Sequence, residues 1–427
     1  MSPPRPAPPD IEPSAIAPFD WRVALHDASR DAVPMVLDAL PTVRCVLLLA
    51  DAEDRPVQLL ATANLRGAVR RRLDADPTAA PSRRIDYREV VRVVHFRRVD
   101  SDFEADLVYW QAARSLFPDR YLELVNLRPT CWLHIDPDGD RPRWTRTTDV
   151  AAFVRRPGVL LGPLESPAAA GELMDRLDSA FELCRYPAIL ADAPHGKPCA
   201  YKDMGRCPAP CDGSISLPAY RQMVRRALHT LAEPAPEVDA ATARMRDAAA
   251  ALAFETAGRI RQYVDELRQL ASGAWRQVRP LGDFDYLVIA PVGRRENAPC
   301  KLFRVAPGHI AELCGAMNPP GDPAELLELI RRHASNTAAA PDPWDTARFE
   351  QLALAAQHLL RDDRRDALWL PVSQLTTDRL RAAFQTVQSW ARPRPGRTRS
   401  GRPRGVPAVA DDPHPSSSPR ADDITPG

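Results

Sequence analysis

Three cysteines lie close together in the stretch KPCAYKDMGRCPAPC, residues 197–211, at Cys199, Cys207 and Cys211. Cysteine thiolates are ligands of zinc and of iron–sulfur clusters, and in a reducing compartment clustered cysteines favour a metal over disulfides. A short segment rich in turn-forming residues has no core of its own, so a bound metal would hold it together. The alternative is a reduced set of loop cysteines without a metal.

The remainder of the composition points to the cytoplasm. We find neither a signal peptide nor an apolar run long enough to span a membrane, so we expect a cytoplasmic protein without membrane contact. The chain has eight cysteines in 427 residues. Four of them are scattered through apolar stretches and are expected to be ordinary core residues: Cys45, Cys131, Cys300 and Cys314.

Charge is unevenly distributed, although the net charge is only +1. Arginines cluster at two places: Arg70, Arg71, Arg72, Arg83 and Arg84, and then Arg392, Arg394, Arg397, Arg399, Arg402 and Arg404. Such clusters neutralise phosphates and release counterions, which would suit nucleic acid. The alternative is that arginine is simply the usual cation here, since lysine occurs only at Lys197, Lys202 and Lys301.

The pattern predicts an α+β protein of several modules that must position these residues. Both Pro-rich ends, residues 1–35 and 392–427, are expected to be disordered because they offer little apolar surface to bury. Residues 36–150 alternate short apolar strands with two helices, which indicates a small sheet domain. Residues 151–215 form a connecting helix and the cysteine segment, and residues 276–391 are a mixed α/β segment.

The apolar spacing within residues 216–275 predicts a helix followed by a helical hairpin. In the second arm of the hairpin an apolar stripe steps by three and four residues, opposite a charged face, so we expect the stripe to pack on a partner. The alternative is an ordinary helix pair packed inside this protein. The segment EPAPE, residues 233–237, is expected to be a linker before the hairpin.

Three stretches resemble the UvrC family, the incision subunit of bacterial nucleotide-excision repair. LGPLESPAAAGELMDRLDSAF resembles the turn and helix that follow its nuclease domain. KPCAYKDMGRCPAPCDGSISLPAYRQMVRRAL is similar over its full length to its cysteine-rich segment, and MRDAAAALAFETAGRIRQYVDEL resembles the UVR motif. This resemblance implies a degenerate GIY-YIG-like domain, a cysteine-rich segment, a UVR helical hairpin and a shortened C-terminal region.

The resemblance also implies ligands and a partner. It assigns an iron–sulfur cluster of the 4Fe-4S type, with zinc as the alternative, to Cys184, Cys199, Cys207 and Cys211. It implies that the hairpin binds a UvrB-type helicase subunit through Phe254, Glu255, Ala257, Ile260, Arg261, Val264 and Leu267. The sequence departs from the UVR motif at Gly258 and Gln262, where Ala and Asp are usual.

The nuclease signature of the family is largely missing. When residues 51–65 are aligned with the GIY-YIG pattern, Leu47 and Gln58 fall at the two signature tyrosines. Leu60 falls at the glycine and Ala68 at the helix arginine, for which Arg66 or Arg70 would be substitutes. Only Glu104 matches the acidic residue with which the family holds its metal, and it equally suits a helix start. Phosphodiester hydrolysis needs an activated water, a cation for the phosphate and a carboxylate-held metal, so we expect no cutting from this domain.

A second nuclease domain, RNase H-like, follows the UVR motif in the family. Here Asp283 and Asp285 stand beside a predicted strand, but they are read as solvated turn acids rather than as a metal pair. We therefore expect a non-catalytic or accessory UvrC-like repair protein that binds a UvrB-type partner and DNA, and whose N-terminal domain is a DNA-binding or structural remnant. Two alternatives stay open: an active excinuclease, or a metal-cysteine and UVR adaptor in protein quality control.

Overall fold

The computed structural model describes residues 11–25, 37–73, 87–270, 272, 275–293, 297–319, 322–338, 344–361 and 366–390. The C-terminal tail with its arginine cluster, and also Arg83 and Arg84, lie outside the described residues. No helix in the described ranges is long and apolar enough to cross a membrane.

The N-terminal sheet begins earlier than the sequence predicted. It contains β1 (Ile11–Pro13), β2 (Trp21–Ala24), β3 (Cys45–Ala50), β4 (Pro56–Thr62) and β5 (Val93–Arg98), in the order β1-β2-β5-β3-β4 with all pairs antiparallel. The prediction of disorder for residues 1–35 was therefore wrong for β1 and β2. Val23 is fully buried opposite Val94, and Pro13 lies on the edge strand, where proline costs no ladder hydrogen bond.

Two helices cover opposite faces of this sheet. Helix α1 (Leu65–Leu73) buries Leu65, Val69 and Leu73 on one face, as the four-residue spacing predicted. Helix α2 (Asp102–Leu116) covers the other face, and the hydroxyl of Ser101 caps it by accepting the amide of Glu104 at 3.0 Å. Successive side chains of β3 and β4 point to opposite faces of the sheet, so neighbouring residues pack against different helices.

A middle module follows, built on a second antiparallel sheet. After α3 (Tyr121–Leu124) come β6 (Cys131–Ile135), β7 (Thr145–Thr147), α4 (Val150–Phe153) and β8 (Val159–Leu164). Helix α5 (Pro167–Ala180) leads to the short helices α6 (Pro187–Ala191) and α7 (Ala200–Asp203), and then to α8 (Leu217–Ala232). The strand β9 (Arg279–Pro280) returns from beyond the hairpin and closes the sheet in the order β7-β6-β8-β9.

The predicted helical hairpin is present as α9 (Pro234–Ala250) and α10 (Phe254–Leu270). The segment EPAPE is not a linker, because Pro234 opens α9 directly after Glu233 caps α8. Proline suits the first helical turn, where its missing N–H has no partner to lose.

The C-terminal segment forms a third antiparallel sheet in the order β12-β11-β10-β13. Its strands are β10 (Tyr286–Pro291), β11 (Cys300–Ala306), β12 (His309–Met317) and β13 (Leu368–Pro371). Helices α11 (Pro323–Ala338), α12 (Thr346–Leu359) and α13 (Thr377–Trp390) complete the segment.

Helix α2 joins the N-terminal and C-terminal segments, which the sequence analysis treated as separate modules. Its Ala105 packs in the core beneath the first sheet, whereas Phe103 packs edge-on against Phe303 and Trp369 of the third sheet. The buried carboxylate of Glu350 on α12 accepts hydrogen bonds from three groups of the N-terminal segment: Trp110 at 2.8 Å, Arg114 at 2.8 Å and Tyr121 at 2.6 Å. The two segments therefore share one interior.

Candidate functional site

The cysteine segment is a folded loop between α5 and α8. The amide of Gly196 donates to the carbonyl of Cys211 at 2.8 Å, which brings the two ends of the loop together. Gly213, with φ of +78°, lets the chain turn away where a Cβ would come within 3.2 Å of the Pro194 carbonyl. Backbone contacts of the loop itself, and not only a bound metal, therefore fix the conformation of the cysteine segment.

The thiol of Cys184 lies beside that of Cys207 and donates to the Tyr186 carbonyl at 3.6 Å. The interaction between the two thiols lowers the pKa of Cys207 and raises the pKa of Cys184. Cys211 is close enough to raise the pKa of Cys184 further. Cys199 precedes α7, and its carbonyl accepts the amide of Lys202 at 3.0 Å.

These contacts fall short of a complete metal-ligand arrangement. Within the described ranges, no three His, Cys, Asp or Glu side chains are placed to hold one metal ion. The donor chemistry still suits a thiolate-bound metal, since Cys207 and Cys211 both lie near Cys184. The iron–sulfur or zinc site therefore stays a prediction. The scattered cysteines Cys45, Cys131 and Cys300 are buried in the cores, and Cys314 is half-buried.

The apolar stripe of the hairpin is divided into two parts. Val264 and Leu267 are buried, and Leu267 belongs to the core of the middle module. We had expected the whole stripe to face a partner, but this half is already covered by the chain itself. The reason is that the base of α10 packs against α5 and α8.

The far half of the stripe remains accessible. Ala257 and Ile260 are half-buried, while Glu255 and Arg261 are exposed. At the tip, Phe254 is 67% exposed. Leu252, in the turn between the arms, is 72% exposed. Two large apolar side chains are therefore exposed at the hairpin tip.

Glu104 lies apart from the other residues aligned with the nuclease signature. Leu47 lies opposite Leu60 across the β3–β4 ladder, and both belong with Ala68 to the core beneath α1. Glu104 starts α2, which lies on the other face of the sheet. The proposed substitutes are engaged elsewhere: Arg66 donates to the Leu40 carbonyl at 2.7 Å, and Arg70 pairs with Asp38.

One arginine that the sequence analysis did not single out does reach the signature region. The guanidinium of Arg72 donates to the Gln58 side chain at 2.7 Å and to the Ala68 carbonyl at 3.1 Å. Burial lowers its pKa. It lies one helical turn beyond Ala68, so the spacing of four residues along α1 was the available signal.

Glu104 is sealed by a lysine of the third sheet. Its side chain is 1% exposed, and Oε1 accepts the ammonium of Lys301 at 2.6 Å. The same ammonium lies 3.0 Å from Asp100 Oδ2, and Glu104 Oε2 accepts the amide of Asp100 at 2.8 Å. Burial raises the pKa of Glu104, and the ammonium opposes that rise. Burial alone would lower the pKa of Lys301, but the two carboxylates outweigh it and raise that pKa.

A protein cation therefore occupies the space in front of this carboxylate. The residues do not fit a metal ion there, because both oxygens of Glu104 are already used and no open coordination position faces solvent. Sequence reasoning missed Lys301. The signal was its chemistry: it is one of three lysines in an arginine-rich chain, and a compact ammonium suits a small buried space between two carboxylates.

The C-terminal carboxylates also serve the fold. Asp285 receives both Nε and Nη2 of Arg304, at 3.0 and 2.8 Å, and Arg304 is buried in β11. Asp283 is exposed in the turn before β10. Asp283 therefore occupies a turn as predicted, whereas Asp285 is held in an ion pair that the sequence analysis did not predict.

Comparison with known proteins identifies the middle module. The sequence profile described as "UvrC/Cho excinuclease, middle domain" matches residues 130–230, which contain β6 to β8, the cysteine segment and nearly all of α8. No solved structure gives a significant match.

Several curated relatives share the name UvrABC system protein C. The protein of Syntrophotalea carbinolica is 34% identical over 147 residues, 34% of this chain and 23% of the relative. That of Trichlorobacter lovleyi is 28% identical over 275 residues, 64% of this chain and 44% of the relative. That of Thermus thermophilus is 36% identical over 115 residues, 26% of this chain and 19% of the relative. The chain thus spans less than half the length of each of these proteins.

The profile match covers two of the three stretches on which the resemblance was recognised, the turn and helix from Leu161 and the cysteine-rich segment, and the prediction of a UvrC relative is confirmed. Over residues 130–230 this chain is similar to the middle domain of UvrC-type excinucleases.

Proposed function

We propose that this chain is a UvrC-like protein of nucleotide-excision repair that binds a UvrB-type partner and DNA without cutting the DNA. The observation that carries the non-cutting role is the seal on Glu104 by Lys301 at 2.6 Å. The remaining signature positions have become aliphatic or amide groups and lie on the opposite face of the sheet. On this proposal the N-terminal segment is a degenerate GIY-YIG domain kept as a scaffold.

The partner side of the proposal rests on the hairpin. The relatives are named for the UvrABC system, whose B component is the expected partner of a C-type subunit. An accessible Phe254 beside exposed Glu255 and Arg261 offers an apolar anchor within a charged rim, which is the usual composition of an interface hot spot. The hairpin would act as the UVR motif with its free half.

The cysteine segment would carry the iron–sulfur cluster, or zinc, on Cys184, Cys199, Cys207 and Cys211. A metal bound by these thiolates would hold together a loop whose own side chains bury little apolar surface. A bound cluster would supply structural rigidity or electron transfer, and this chain's residues would contribute only the ligation and the surrounding shell.

The first test is a titration of the chain against purified UvrB, measured by calorimetry. Phe254→Asp should weaken binding at least tenfold, because hot-spot aromatics contribute about 2 kcal/mol or more. Leu122→Asp is the matched control, since Leu122 is 63% exposed but lies far from the hairpin in sequence, on α3. Equal binding by wild type and Phe254→Asp, or no binding at all, would refute the hairpin as the docking element and favour the adaptor alternative.

The non-cutting role has its own test. Purified chain with UvrA, UvrB and Mg²⁺ should leave a damaged duplex intact. Incision that disappears in Glu104→Gln would overturn the proposal in favour of an active excinuclease.

A further inference from the structure

Two tyrosines and an arginine form a layered group at the surface of the cysteine segment. The guanidinium of Arg185 lies 4.6 Å from the centroid of the Tyr201 ring. The ring of Tyr186 lies 6.0 Å from that of Tyr201 and is tilted by 49°. Tyr186 is 45% exposed, and Met204, at the end of α7, is 66% exposed. One aromatic ring therefore faces solvent beside an ordered cation.

Three arginines converge beside these rings. Arg176, Arg185 and Arg206 all act on Glu266 of α10, and each lowers the pKa of that carboxyl, which burial raises. Glu266 is not the only counter-ion of this group, because Arg185 also acts on the buried carboxyl of Asp178. Arg176 covers the ring of Trp275 at 4.7 Å, so cations and aromatic rings alternate along this surface.

One hydrogen-bond donor of this group has no acceptor among the described residues. The Nε of Arg185 is buried and has no hydrogen-bond partner in the described part of the protein. An unpaired buried guanidinium N–H costs free energy, so it gains from an anionic oxygen that reaches it. Arg206 is exposed on the same surface, which we call the arginine–tyrosine face and define as Arg185, Tyr186, Tyr201, Met204 and Arg206.

A shallow cleft continues from this face along α6. It has a volume of about 260 Å³ and is lined by Arg141, Arg143, Pro187, Leu190 and Ala191. Pro187 follows Tyr186 directly, so this cleft begins one residue beyond the exposed ring. Arg141 and Arg143 add positive charge to it, and Arg141 also donates to the Ala193 carbonyl at 2.8 Å.

We propose that the arginine–tyrosine face binds an unpaired strand of DNA, with the arginines on phosphates and Tyr186 stacked on a base. Guanidinium groups match phosphate oxygens in planar, two-point hydrogen bonds. Aromatic rings stack on any base, but the base faces are reachable only outside a duplex. This inference deepens the DNA-binding part of the proposed function and names the strand form and the contacting residues.

Fluorescence anisotropy with a labelled single-stranded oligonucleotide tests the proposal on the full chain. Tyr186→Leu should weaken binding about tenfold, the typical loss for one stacked base, whereas Tyr186→Phe should bind like wild type. Arg206→Ala should weaken binding and lower the slope of log K against log salt by about 0.7, the value for one phosphate contact on a single strand. Arg120→Ala is the matched control, because it removes one exposed arginine on α3 and should leave the slope unchanged.

Two results would overturn the proposal: equal affinity of Tyr186→Leu and wild type, or tighter binding to blunt duplex with no effect of Tyr186. Displacement of the strand by an acidic peptide but not by unlabelled single strand would assign the face to a protein partner and also overturn it. The UvrB titration uses Phe254→Asp at the hairpin tip, so its failure and the failure of DNA binding are separate results.

Discussion

The sealed carboxylate gives the sharpest prediction about this molecule. Lys301→Met removes the ammonium from between Glu104 and Asp100 but keeps an unbranched side chain of similar length. Glu104 is 1% exposed and Asp100 5% exposed, so water cannot replace the lost cation. Glu104 would then lie in the shared interior without a cationic partner, close to Asp100, which keeps only the half-exposed Arg98.

The size of the effect follows from distance and burial. With an effective dielectric constant of ~20, opposite unit charges at 2.6 Å attract by about 6 kcal/mol before the cost of desolvating the ions. Removing one partner of a buried pair typically costs about 3–5 kcal/mol. That is a large fraction of the stability of an ordinary domain. We expect Lys301→Met to lower the free energy of unfolding by about 3–5 kcal/mol.

The assay is urea unfolding followed by tryptophan fluorescence, with Arg98→Met as the matched control. Arg98 pairs with the other oxygen of the same Asp100 at 3.1 Å, but its side chain is 52% exposed. Such exposed pairs contribute about 0–1 kcal/mol. The double variant Glu104→Gln with Lys301→Met should recover much of the loss, because it leaves no unpaired charge at position 104.

The loss should also depend on pH. Burial already raises the pKa of Glu104 above its usual 4.5, and without Lys301 only the hydrogen bond from the Asp100 amide still opposes that rise. A carboxyl with a raised folded-state pKa keeps its stabilising contribution below the unfolded pKa and loses it as pH rises through the folded pKa. Lys301→Met should therefore be less stable at pH 8 than at pH 5. A loss no larger than that of Arg98→Met, or a flat pH profile, would refute the reasoning about the seal.

Three further predictions concern other parts of the chain. Gly258→Ala should raise the free energy of unfolding of the hairpin by about 0.5–1 kcal/mol, because no atom lies within 4 Å of the added Cβ in the helix. Gly308→Ala should instead be destabilising in the same urea series, because Gly308 has a φ of +70° and the added Cβ would lie 2.8 Å from that of Arg348. The ring nitrogens of His95 lie 2.9 Å from Ser14 and Asp54, and burial lowers the pKa of His95. The neutral imidazole therefore stabilises the fold above pH 6.5, and this contribution is lost as pH falls. The melting temperature of His95→Gln should fall less steeply at acid pH than that of the wild type. Anaerobically purified chain should contain iron or zinc by elemental analysis; Cys207→Ser should lose the metal and Cys314→Ser should keep it, and equal metal in both variants would contradict the ligand assignment.

The local elements were readable from the sequence because each has its own periodicity. The strand at Cys45–Ala50, the helix at Leu65–Leu73 and the hairpin arms all follow from apolar spacing and helix caps. The early strand at Trp21–Ala24 was hidden because it is short and follows a Pro-rich stretch, so its stability comes from pairing with Val93–Arg98. Composition cannot report such long-range pairing.

The candidate sites were only partly readable for a related reason. The cysteine spacing identified the segment, but which thiols meet depends on how the loop closes between Gly196 and Cys211. The neutralisation of Glu104 depends on Lys301, almost two hundred residues later in the chain, and no local pattern connects them. The split of the hairpin stripe likewise depends on what the base of α10 packs against.

The shared helix α2 also has a consequence for the order in which the chain folds during synthesis. The middle module can close early, since its last strand, Arg279–Pro280, is made before the third sheet begins. Helix α2 must wait, because the partners of Phe103 and Trp110 include Phe303, Glu350 and Trp369. Contacts of such long sequence separation form slowly, and N-terminal segments emerge first from the ribosome. A nascent chain should therefore carry a middle module that is closed toward α5 and α8, while the apolar face of α2 and the side of Trp132 that packs on Phe284 are still uncovered. This is the interval in which a chaperone would be needed.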